Sequence, residues 1–134
     1  METARWTDVL NLLTMAVVID KRVYKEEVDV FRKKALELRE ALSPNMIFSD
    51  KMAFDWFMVH RDEVMGWLDA PDSRDRILNH IHKLKDEPGR QKILESMYSI
   101  SMADKEFHSS EMDIISLAAK HWKLPVPKLS LIHI

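Results

Sequence analysis

"AVVIDKRVYKEEVDVF", residues 16–31, and "ISMADKEFHSSEMDII", residues 100–115, decide how this chain reads. Each runs from an apolar segment into a short turn and out into an amphipathic one. At an offset of 84 residues, Asp20 falls on Asp104, Lys21 on Lys105, Glu27 on Glu111 and Asp29 on Asp113. Apolar positions agree too: Val23 falls on Phe107, Val28 on Met112 and Phe31 on Ile115. Each unit therefore reads as helix, acidic turn, helix. The doubling predicts two helical hairpins packed about a pseudo-two-fold axis.

Helical spacing extends outward from both turns. Trp6, Val9, Leu10, Leu13 and Val17 fall on one stripe of a helix over 4–19,. Val28, Phe31, Ala35, Leu38 and Leu42 do the same over 25–42, and Pro44 ends that helix by forcing Ser43 out of helical geometry,. Residues 49–69 form one long helix or two short ones, with Ser49 or Asp50 as N-cap and Gly66 as the possible break,. Aromatics and methionines spread all round that segment, which places it as core between the hairpins. Further helices are expected over 72–86, over 88–103 with Pro88 in its first turn, and over 109–123,. No segment alternates with period two. The fold class is all-α: a compact bundle of about six to seven helices in one domain, residues 1–128.

The last six residues, "LSLIHI", are what CTGTCTCTTATACACATC encodes, the end of a transposon library adapter. Residues 129–134 are accordingly expected to be a non-native tail. Continuous genomic sequence through that junction would sink this reading.

Composition narrows the function classes. A net charge of −2 gives no basic footprint for nucleic acid,. The absence of cysteine removes disulfides, thiolate metal sites and cysteine nucleophiles together,. Neither a signal peptide nor a membrane span is legible, so a cytoplasmic protein without direct membrane insertion is expected. Two glycines cannot build a phosphate-cradling loop,. No nucleophilic triad or zinc motif is present, and no enzyme is expected.

The two quoted stretches resemble the signature hairpins of the TerB-like family, named for tellurite resistance. The resemblance covers most of residues 8 to 124. The family pattern is an Asp-Gly turn, a hydrophobic residue two further on, and a Glu opening the next helix. It implies an all-helical fold of two related hairpins and a stress-associated bacterial accessory protein. Its recurrent acidic residues have been suggested to bind a metal ion. Carried over by position, those are Asp20, Glu27, Asp104 and Glu111. This chain departs from the pattern at Lys21 and Lys105, which stand where the glycines would and add positive charge beside the proposed site.

Two readings of the four acids stay open. Clustered carboxylates repel unless a cation neutralises them, and oxygen-only ligands suit Ca²⁺ or Mg²⁺. Alternatively, Glu27 and Glu111 cap first turns of helices while Asp20 and Asp104 accept turn amides. No other cofactor is expected. A metal-independent interaction module with an unknown protein partner, like the related part of a membrane-anchored DnaJ-type co-chaperone, is the competing function. A hydrolase would need a cleft beside the carboxylates. Of the histidines, His80 and His82 point to different helix faces and are not expected to pair on a metal, and His108 lies within the second turn,.

Overall fold

The computed structural model describes residues 3–19, 23–103 and 109–126. Among the described residues there are helices and no strands. The helices are α1 (Thr3–Val18), α2 (Lys25–Leu42), α3 (Asp50–Asp69), α4 (Ser73–Lys83), α5 (Arg90–Ser101) and α6 (Ser109–Trp122). Their compact packing bears out the all-α bundle. None of them is long and apolar enough to cross a membrane.

α1 is the axis of the core. Every residue from Val9 to Val18 is buried, on all sides of the helix. That stretch, "VLNLLTMAVV", carries no charge, and its buried Thr14 hydroxyl donates back to the Leu10 carbonyl at 2.8 Å. A single apolar stripe was too little to expect of it. α3 departs in the other direction. It buries Ala53, Phe57 and Val64, while Met52, Met58 and Val59 are exposed. Its Lys51, Asp55, Asp62 and Glu63 need water, so it lies on the outside of the bundle rather than sandwiched within it,.

The connections are short and individually tied. Ser49 caps α3 by accepting from the Met52 amide at 3.2 Å. Arg32 donates to both Asp50 oxygens, at 2.9 and 2.5 Å, and latches α2 to the start of α3. This hydrogen-bonded guanidinium holds the Asp50 carboxyl below its ordinary range. Helix α5 begins at Arg90, after Pro88 and its N-cap Gly89. Pro88 therefore sits in the turn instead of inside the helix.

α3 runs through Gly66 without a break. Gly66 is exposed, and a Cβ there would meet nothing within 4 Å. Gly66→Ala is expected to stabilise the protein by about 0.5–1 kcal/mol, because alanine costs less backbone entropy in a helix. Urea titration checks this.

Candidate functional site

Contacts at one end of the bundle show how the two hairpins lie. Arg5, near the start of α1, is 3.9 Å from Glu87, just before α5. Leu42, at the end of α2, packs over Gly89 at the start of α5. Trp122, closing α6, donates from Nε1 to the Ile81 carbonyl near the end of α4, at 2.8 Å. The start of α1, the end of α2, the start of α5 and the ends of α4 and α6 thus meet. α5 packs against both α1 and α2, and α6 packs against α5 and α4. The end of α1 and the start of α2 border the first acidic turn, and the end of α5 and the start of α6 border the second.

Of the four predicted acids, only Glu27 has a described side chain. Asp20 and Asp104 lie outside the described residues, as do Lys21, Lys105 and His108. Glu111 lies in α6, with its side chain outside the described set. Glu27 is 0% exposed in the first turn of α2, where its amide donates to the Tyr24 carbonyl at 3.1 Å. Tyr24 is the N-cap and makes no side-chain cap. Burial of an ionised carboxylate costs several kcal/mol (roughly) unless opposite charge or donors offset it. The positive end of α2 supplies part of that offset. Among the described residues, no group of three or more His, Asp or Glu is placed to hold a metal.

Two histidine arrangements escaped the sequence reading. His80 Nδ1 lies 3.4 Å from Asp8 Oδ1, both side chains being largely buried, and its ring stacks on Trp67 at 4.9 Å. This cluster joins α1, α3 and α4. His82, two residues on, instead faces α6: its Nδ1 is 3.2 Å from Nε2 of His121. The two histidines of α4 do point apart, as helical spacing requires. What spacing alone does not contain is the partner across the bundle, 39 residues away.

Burial pushes the His80 imidazole below its ordinary range, more than the neighbouring Asp8 raises it. The folded state then binds fewer protons than the unfolded state just below the ordinary pKa of 6.5. Stability rises with pH wherever the unfolded chain binds more protons. The contribution is present above pH 6.5 and is lost as pH falls from there through the lower, folded-state value. His80→Phe is expected to flatten this part of a melting-temperature profile against pH.

No protein-family model matches the chain, and no curated protein or solved structure matches it either.

Proposed function

We propose that the chain is a TerB-like, non-catalytic accessory protein of the cytoplasm. It works by binding a divalent cation, Ca²⁺ or Mg²⁺, through Asp20, Glu27, Asp104 and Glu111, and by presenting the loaded end to a protein partner. The observation that carries this reading is the burial of Glu27 in the first turn of α2, directly after the first acidic turn. A carboxylate there is favoured by the helix dipole, and carboxylate oxygens suit a hard cation. Stress response, tellurite included, enters through the family resemblance.

A cation bound only by the folded chain raises its stability by mass action. Millimolar Ca²⁺ or Mg²⁺ is therefore expected to raise the melting temperature of metal-stripped protein, and Glu27→Gln to remove the increment. An unchanged melting temperature in the unsubstituted protein would count against the site.

A second reading, a metal-independent interaction module, is favoured by Ile47 and Val59, which are 86% and 73% exposed. On that reading Ile47→Ser and Val59→Ser abolish partner binding without lowering stability.

A further inference from the structure

We propose that His82 and His121 form a chelating site for a borderline transition-metal ion, Cu²⁺, Ni²⁺ or Zn²⁺, separate from the acidic turns. His82 Nδ1 and His121 Nε2 stand 3.2 Å apart, with ring planes at 71°. Two imidazole nitrogens bound at about 2.0–2.1 Å to one ion are roughly 2.9 Å apart at a right angle and about 3.3 Å apart at a tetrahedral one. The observed separation falls between these limits. For both lone pairs to meet an ion beside the line that joins them, each ring turns away from its hydrogen-bonding direction, which two exposed side chains allow. The ion then takes the place of the proton the two nitrogens share.

The backbone beneath the pair is already fixed. Each histidine is the sequence neighbour of a residue in the buried Trp122–Ile81 hydrogen bond, which pins α6 to α4 at 2.8 Å. Support of this kind is what separates a built chelate from two histidines that meet in passing. The site is open to solvent: both side chains are exposed, and His121 borders a groove lined by Arg74, Leu78, Leu117 and Lys120. Water can therefore fill the remaining coordination positions. The nearby cations weaken attraction for an ion but do not occupy the donors. Lys83 Nζ lies 3.8 Å from Asp8 Oδ1, and Lys120 lines the groove beside His121.

The donor chemistry selects the metal. Imidazole suits Cu²⁺, Ni²⁺ and Zn²⁺, with Cu²⁺ bound most tightly, whereas Ca²⁺ and Mg²⁺ prefer oxygen. The histidine pair and the proposed carboxylate site therefore respond to different ions.

The test is a calorimetric titration of Ni²⁺ and Cu²⁺ into the full chain and into His82→Ala, His121→Ala and the double variant. Controls are His60→Ala, His108→Ala and His133→Ala. The expected result is one ion per chain, with affinity reduced at least about tenfold by either substitution, since the second donor acts at high effective concentration. The double variant should lose little more, and the controls should lose nothing. Zn²⁺ should also raise the melting temperature of the unsubstituted chain, because donors 39 residues apart converge only when it is folded,. Neither single variant should show that rise, while their metal-free melting temperatures stay near the parent's. Absence of binding, binding that survives both substitutions, or binding that disappears with His108→Ala or His133→Ala would overturn the proposal.

Discussion

Trp122→Ala is expected to lower the free energy of unfolding by about 3–5 kcal/mol, the range for removing a buried aromatic side chain. Trp122 is 3% exposed and closes α6 onto α4 through its indole hydrogen bond to Ile81. Its truncation removes both packing and that link. Trp122→Phe separates the two contributions. The Ile81 carbonyl keeps a second donor, the Leu84 amide at 3.1 Å, so loss of the indole bond leaves no orphaned acceptor. The phenylalanine variant should therefore cost only about 1 kcal/mol for the hydrogen bond, plus a small packing defect. Guanidinium titration with the slope monitored distinguishes these outcomes. A loss below about 1 kcal/mol for the alanine variant would contradict the docking of α6. The same variant should also weaken Ni²⁺ binding, because the backbone under His82 and His121 loses its pin.

The second large effect is expected at Phe57. It is fully buried in α3 and meets Phe31 of α2 with ring centroids 5.3 Å apart and planes at 53°. Phe57→Ala should cost about 3–5 kcal/mol. A cycle of Phe31→Leu and Phe57→Leu should reveal a coupling of about 0.5–1.5 kcal/mol, the value of an aromatic pair beyond its buried area. Additivity within a few tenths (about) would mean that the rings merely share a core. Phe57 is the largest of the three side chains that α3 buries fully, so it carries a large share of that helix's attachment.

The helices were legible because apolar spacing, the Ser43–Pro44 stop and the Ser49 cap are local signals,. Which helix sits at the centre was harder to read. The aromatic and Met-rich α3 looked like the core segment, yet its charges keep it outside. The uncharged run of α1 was the better sign, because a charge must reach water or find a partner, whereas an exposed Met or Val is tolerated. The doubled turn was visible as sequence, and each copy lies between two helices of the fold. The burial of Glu27 was not readable, since a first-turn glutamate is ordinarily a solvated residue,. The Asp8–His80 and His82–His121 contacts join residues far apart in the chain, and no local pattern carries such a pairing.

The most direct test of the proposed function is calorimetric titration of Ca²⁺ and Mg²⁺ into metal-stripped protein, alongside Asp20→Asn/Asp104→Asn and Glu27→Gln. The expected result is heat that saturates near one ion per chain and disappears in both variants while they remain folded. Absence of heat in the unsubstituted chain, or the same isotherm in the variants, would contradict a cation site at the doubled turns.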